Sequence, residues 1–274
     1  TGYLLRQRAE FYKEKSVFNL IKDGKVRSVS YKSLWLQVKN TARALFAPKN
    51  ENIPLVVGIL TDNQLRGVLI DLACLSFGIR VIPIPRNSTP ENISYIINHS
   101  EINNLFIGDK ESAQKWMAIK DLHQVRTIAL ELDENNLLDI TNWDHFLKYG
   151  NTLQEFDTDV FLSKVEMHDI QTIMYTSGTT ANPKGIVFNN LNIMSKRFAR
   201  ALALPEISSD DVFLCYLPLF HTFGRYFELM GSIFWGATYS FAESPAFNSL
   251  LNDFKLVKPS IFISIPKRWV QLHN

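Results

Sequence analysis

The stretch Ile170-Gln171-Thr172-Ile173-Met174-Tyr175-Thr176-Ser177-Gly178-Thr179-Thr180-Ala181-Asn182-Pro183-Lys184-Gly185-Ile186-Val187-Phe188 carries more information than any other in the chain. Its two ends, Ile170–Tyr175 and Ile186–Phe188, are apolar and rich in strand formers, so they read as two strands. Between them, Thr176–Gly185 gathers four hydroxyl side chains, two glycines and one lysine within ten residues. Successive backbone N–H groups in such a turn form a concave nest for an anion. The hydroxyls can donate to phosphate oxygens, and a lysine adds a mobile point charge. The order of residues is not that of the ordinary nucleotide-binding loop: GxxxxGK[ST] fails, because Pro183 precedes Lys184 and Gly185 follows it. No GxGxxG occurs anywhere, which argues against a dinucleotide fold.

Thr176–Gly185 resembles the signature loop of the adenylate-forming superfamily, which includes acyl-CoA synthetases, fatty acyl-AMP ligases, luciferases and the adenylation domains of peptide synthetases. One position departs, since Ala181 stands where the family usually has glycine. A second match follows at Tyr216-Leu217-Pro218-Leu219-Phe220-His221-Thr222-Phe223-Gly224-Arg225. It is similar to the family's strand-to-helix segment, whose aromatic or histidine side chain lines the acyl pocket. Here too one position differs: Gly224 stands where fatty acyl-CoA synthetases often carry Glu before the arginine. The third match, Lys258–Trp269, looks like the strand after the acyl-pocket helix of long-chain acyl-CoA synthetases. Upstream, the ranges 28–34, 55–85 and 89–100 resemble the family's first α/β subdomain. The resemblance therefore covers nearly all of the chain, in family order.

Working outward, the chain alternates between strand and helix patterns. Lys22-Asp23-Gly24-Lys25 reads as a hairpin turn between strands at 17–21 and 26–30. Tyr31, Leu34, Trp35, Val38, Ala42 and Leu45 recur at helical spacing behind a Ser30 cap. Leu55–Leu60 is continuously apolar, as a strand buried on both faces must be. A helix from Leu65 to Leu75 follows and is stopped by Gly78, then a strand at 81–84 and a helix opened by Thr89-Pro90-Glu91. Strands at 105–107 and 127–130 continue the run. Beyond the loop, helices at 191–202, from about His221 and at 247–256 alternate with strands at 212–216, 237–241 and 261–265. Such alternation predicts βαβ units and mainly parallel sheets.

Bulk properties exclude several classes. With 46% hydrophobic residues in 274, the chain is globular rather than disordered. Its 29 Lys plus Arg against 27 Asp plus Glu leave a formal charge of +2, too weak a field for nucleic-acid binding. The two cysteines, Cys74 and Cys215, lie far apart in apolar runs and read as buried free thiols of a reducing compartment. No two of the six histidines have metal-ligand spacing, so no metal site is expected. The apolar runs are too short for a transmembrane segment, and a cytoplasmic location is expected.

The resemblance implies an α/β protein with two Rossmann-like subdomains of mainly parallel sheets flanked by helices. The expected division is 1–160 and 161–274, the second subdomain being incomplete and the C-terminal lid domain absent. It further implies ATP-dependent activation of a fatty acid to acyl-AMP and then acyl-CoA, with ATP, Mg²⁺ and coenzyme A as the small-molecule partners. Thr176, Ser177, Gly178, Thr179, Thr180, Lys184 and Gly185 would hold the phosphates. Lys184 and His221 would be the catalytic pair, and His221, Phe220 and Phe223 would border the acyl group. Two alternatives stay open at this point: a fatty acyl-AMP ligase serving a carrier protein, and a non-catalytic nucleotide-binding module. The chain alone is expected to lack catalysis, and to self-associate through surface uncovered by truncation.

Overall fold

Val56–Leu60 is buried at every position, and the reason is its place in the middle of a parallel sheet. The computed structural model describes residues 1–47, 54–131, 140–152, 156–176 and 182–273. Among these the strands are β1 (Ser16–Lys22), β2 (Lys25–Ser30), β3 (Val56–Leu60), β4 (Arg80–Pro83), β5 (Asn104–Ile107), β6 (Arg126–Ala129), β7 (Thr141–Asn142), β8 (Ile170–Thr176), β9 (Lys184–Asn189), β10 (Val212–Cys215), β11 (Thr238–Phe241) and β12 (Ile261–Phe262). The chain divides into two units, one of Thr1–Tyr3 with Leu36–Ile193, the other of Leu4–Trp35 with Met194–Asn274.

The first unit holds a seven-stranded sheet in the order β7-β6-β5-β3-β4-β8-β9, parallel except for the last strand, β9, which runs antiparallel to β8. The helix Leu65–Phe77 is buried from Gly67 to Phe77, so it is enclosed on all sides rather than along one stripe. Gly78 ends it with φ +73°, and its N–H bonds to the Cys74 carbonyl, the left-handed cap that the sequence predicts. The helix Pro90–Ser100 opens with Thr89 accepting from the Asn92 N–H. It lays Ile93, Ile96 and Ile97 on Ile82, Ile84, Leu105, Ile107 and Tyr175 of the sheet. Each such aliphatic side chain contributes on the order of 1.5–3 kcal/mol by leaving water.

Two features of this unit differ from the sequence reading. β8 and β9 lie beyond residue 160, yet they complete this sheet, because Val81 of β4 pairs in parallel with Thr172. The described residues at the expected division near 160 also carry structure. Asp157 accepts from the N–H groups of Asp159 and Val160 and starts the short helix Thr158–Ser163. Just upstream, Asn142 caps Trp143–Gly150 in the same way. Both helices are too short for periodicity to reveal.

The second unit holds a five-stranded sheet in the order β12-β10-β11-β1-β2, again parallel except for its last strand. The amino-terminal hairpin belongs here: Phe18 of β1 pairs with Tyr239 of β11. Asp23 and Gly24 both adopt positive φ, +50° and +67°, in the tight turn between β1 and β2. The Tyr31 hydroxyl donates to the Ala237 carbonyl at 2.8 Å and ties the following helix to the sheet. The helix expected from His221 is wider than an α-helix, being a π-helix over Phe223–Leu229 that continues as an α-helix over Met230–Trp235. β12 spans two residues, and the helix Pro266–His273 then begins with its proline in the first position.

Candidate functional site

In the first unit, the antiparallel ladder of β8 and β9 builds the base of the phosphate-type loop. Tyr175 faces Gly185 and Thr176 faces Lys184, which is the last pair before the chain leaves the sheet. Thr176, Lys184 and Gly185 are exposed, while Pro183 is buried. A hydroxyl and an ammonium therefore stand opposite each other on two antiparallel strands, open to solvent. Gly185 is required by close approach: a Cβ there would lie 2.8 Å from Ile173 Cγ2 and 3.4 Å from the Tyr175 ring. Ser177, Gly178, Thr179, Thr180 and Ala181 lie outside the described residues.

Tyr175 precedes the loop and is buried, with its hydroxyl fully engaged. The phenol oxygen lies 2.7 Å from His99 Nδ1 and 2.6 Å from Ser100 Oγ. Burial pushes this phenol above its ordinary value, and the Ser100 hydrogen bond works against that shift. Sequence reasoning missed His99 and Ser100. No local signal exists for a contact across 76 positions of chain.

In the second unit, β10 leads through Tyr216–Phe220 to His221, whose N–H bonds to the Pro218 carbonyl at 3.0 Å. The His221 carbonyl in turn accepts from the Arg225 N–H at 3.0 Å. His221 is exposed, and its ring lies 4.7 Å from that of Phe220. Phe223 is also exposed and meets Phe227 edge-on at 6.1 Å. The three residues assigned to the acyl pocket thus share one turn at the start of the π-helix, a helix type frequent at functional sites. Gly224 has a physical reason for replacing Glu. A Cβ there would sit 2.5 Å from the Pro218 carbonyl oxygen and 2.6 Å from that of Leu217.

Behind this turn the π-helix buries Glu228 completely. Its carboxyl lies beside the Cys215 thiol, and its oxygens have no other hydrogen-bonding partner among the described residues. Burial raises the carboxyl well above the usual carboxylate range, and it raises the neighbouring Cys215 thiol and Tyr239 phenol as well. These groups sit inside the unit and are not open to substrate. Both cysteines are buried, and neither is in a disulfide. Among the described residues, no three His, Cys, Asp or Glu side chains gather as a metal site, and no helix is long and apolar enough to cross a membrane.

The sequence matches the family described as AMP-binding enzyme over residues 5–274. The chain belongs to that family. Among its curated relatives, a human long-chain-fatty-acid–CoA ligase is 26% identical over 224 residues, covering 80% of this chain and 33% of the relative. Long chain acyl-CoA synthetase 2 of Arabidopsis thaliana is 29% identical over 236 residues, covering 79% of this chain and 34% of its own length. The chain thus spans about a third of the relatives it matches. The fold recurs in the inhibitor-bound N-terminal domain of FACL13 from Mycobacterium tuberculosis, with a TM-score of 0.79 and 19% identity. That match covers 100% of this chain and 64% of the other. O-succinylbenzoate coenzyme A synthetase from Bacillus subtilis, solved with ATP and magnesium ion, has a TM-score of 0.77 at 19% identity. There the match covers 100% of this chain and 66% of that one. The two-sheet α/β architecture is the family's own.

Proposed function

We propose that the protein activates a fatty acid in two steps. The carboxylate attacks the α-phosphorus of ATP, forming acyl-AMP and releasing pyrophosphate; the thiol of coenzyme A then displaces AMP to give acyl-CoA. The observation that carries this reading is the pairing of Thr176 with Lys184 at the base of a hydroxyl-rich loop, in a chain of the AMP-binding enzyme family. The chain's similarity to long-chain-fatty-acid–CoA ligases supports the choice of acid and of thiol.

In this reading Thr176, Ser177, Gly178, Thr179, Thr180, Lys184 and Gly185 hold the β- and γ-phosphates. Displacement at phosphorus asks the protein mainly for positioning and for neutralising charge on the leaving group. The exposed Lys184 ammonium and Thr176 hydroxyl are suited to that task, and Gly185 lets β9 approach β8 closely enough to aim them. His221 borders the acyl carboxyl, with Phe220 and Phe223 as apolar walls beside it. Magnesium would enter with ATP and offset phosphate charge; we assign it no ligand from the described residues. The buried Cys74 and Cys215, neither in a disulfide, support a reducing compartment, and we place the enzyme in the cytoplasm.

The test is a product assay on the protein expressed from its complete coding sequence. AMP and acyl-CoA should accumulate together, and only when fatty acid, ATP and coenzyme A are all present. AMP without any dependence on a fatty acid would refute the assignment.

A further inference from the structure

The most constrained group near the phosphate-type loop is the Tyr175 phenol, and nothing in the proposed chemistry uses it. Tyr175 is the residue before Thr176 on β8 and faces the opposite side of the strand, into the core beneath the helix Pro90–Ser100. Two consecutive side chains at the end of that helix, His99 and Ser100, converge on its single oxygen at 2.7 and 2.6 Å. The helix end is itself held. Glu101 turns into the left-handed region at φ +58°, and its N–H bonds to the Asn98 and Ile97 carbonyls. Tyr95, one helical turn before His99, stacks on the imidazole at 5.3 Å with an interplanar angle of 25° and fixes its plane. Gly185, opposite Tyr175 on β9, borders the phenol ring, since a Cβ added there would lie in van der Waals contact with it at 3.4 Å. The phenol thus bears on both rims of the loop: Thr176 follows Tyr175 on one strand, and Lys184 precedes Gly185 on the other.

We propose that His99 and Ser100 are positioning residues for ATP, clamping the Tyr175 phenol and through it the spacing of Thr176 and Lys184. This rests on the reading of the loop as the phosphate site. A buried tyrosine hydroxyl needs one partner to satisfy it, and the second fixes the direction of the ring. Losing the clamp frees the ring to swing while it stays in the core. The loop base then loses register with phosphate, and misplacement by an ångström suffices for large rate losses.

The experiment uses the protein expressed from its complete coding sequence and fatty-acid-dependent ATP–pyrophosphate exchange. The variants are Tyr175→Phe, His99→Ala and His99→Asn, the last able to return an amide near the Nδ1 position. Lys184→Ala reports separately on the phosphate reading. Tyr175→Phe and His99→Ala should raise KM for ATP about tenfold or more, leave KM for the fatty acid unchanged, and His99→Asn should recover most of the loss. A clamp that only stabilised the core would lower the amount of folded enzyme and the thermal midpoint, with KM for ATP at the wild-type value. Unchanged KM for ATP in both Tyr175→Phe and His99→Ala overturns the proposal, whatever the other variants do. If Lys184→Ala then still abolishes exchange, the phosphate reading survives and the clamp alone is lost. Ser100→Ala, which removes one hydroxyl and no ring, should give a smaller rise in the same constant and serves if either larger change fails to fold.

Discussion

Each unit ends its parallel sheet with one antiparallel strand, and the two edge hairpins are built differently. β1 and β2 are joined by Asp23 and Gly24, two residues with positive φ, and nothing lies within 4 Å of a Cβ placed on Gly24. β8 and β9 are joined by residues 177–183, rich in hydroxyls, and a Cβ on the adjacent Gly185 would collide with Ile173. The first turn is the shortest connection that matches strand twist, so its sequence is explained by geometry alone. In the second, the ladder could close far sooner, so residues 177–183 are not needed to join the strands. Residues in excess of what a connection requires, placed on a rigid ladder, are where binding groups are carried.

Charge removal should break this comparison most sharply. Lys184→Ala is expected to lower fatty-acid-dependent adenylation by about 10²–10³-fold, as for loss of one preorganised donor to developing charge. Lys22→Ala or Lys25→Ala, on the strands that flank the other hairpin turn, should leave the rate within about twofold. Stability of all three should stay within about 0.5 kcal/mol of wild type, since none supports the core. Equal losses from both hairpins would show that the two edges do not differ in function.

Backbone replacement should separate the hairpins next. Gly185→Ala forces a Cβ against Ile173 and the Tyr175 ring and should destabilise by roughly 1–3 kcal/mol, with a parallel loss of ATP affinity. Gly24→Ala meets open space and bears only the left-handed backbone strain, about 1 kcal/mol, with no effect on ATP. Urea midpoints and ATP titrations on the two variants check both halves.

A third prediction concerns the interior of the second unit. Burial raises the Glu228 carboxyl well above the usual carboxylate range in the folded state, whereas the unfolded chain releases its proton near the ordinary value of 4.5. The folded pKa is raised, so this group's contribution to stability is complete below that value and is lost as pH rises toward the folded pKa. The slope for one proton is about 1.4 kcal/mol per pH unit. Glu228→Gln should remove this share of the slope, so that urea midpoints at pH 5 and pH 8 move closer together than in wild type. An unaltered difference between those midpoints would mean that Glu228 is ionised in the fold.

Much of this was legible in the residues. The apolar run 55–60, the Gly78 stop, the Thr89–Pro90 start and the Asp23–Gly24 turn all fall where local chemistry demands them. What escaped was non-local. Phe18 pairs with Tyr239, and β8 joins β4, through contacts between segments far apart in sequence, which no window of sequence contains. The π-helix escaped because its turn is wider than the 3.6-residue period by which helices are recognised. Phe220, His221 and Phe223 were named from their order in a motif, while Gly224 became intelligible only when the Leu217 and Pro218 carbonyls were seen packed against it. Thr176 and Lys184 were both expected among the phosphate-binding residues; that they stand opposite each other on the ladder was not foreseen.

The central claim is that the chain between β8 and β9 receives the phosphates of ATP. Hydrogen exchange of the protein from its complete coding sequence, with and without ATP and magnesium, tests this most directly. Peptides covering 174–186 should become protected when ATP is added, and that protection should be lost in Lys184→Ala, while peptides covering 20–28 of the other hairpin stay unchanged. ATP binding without any added protection across 174–186 would contradict the account.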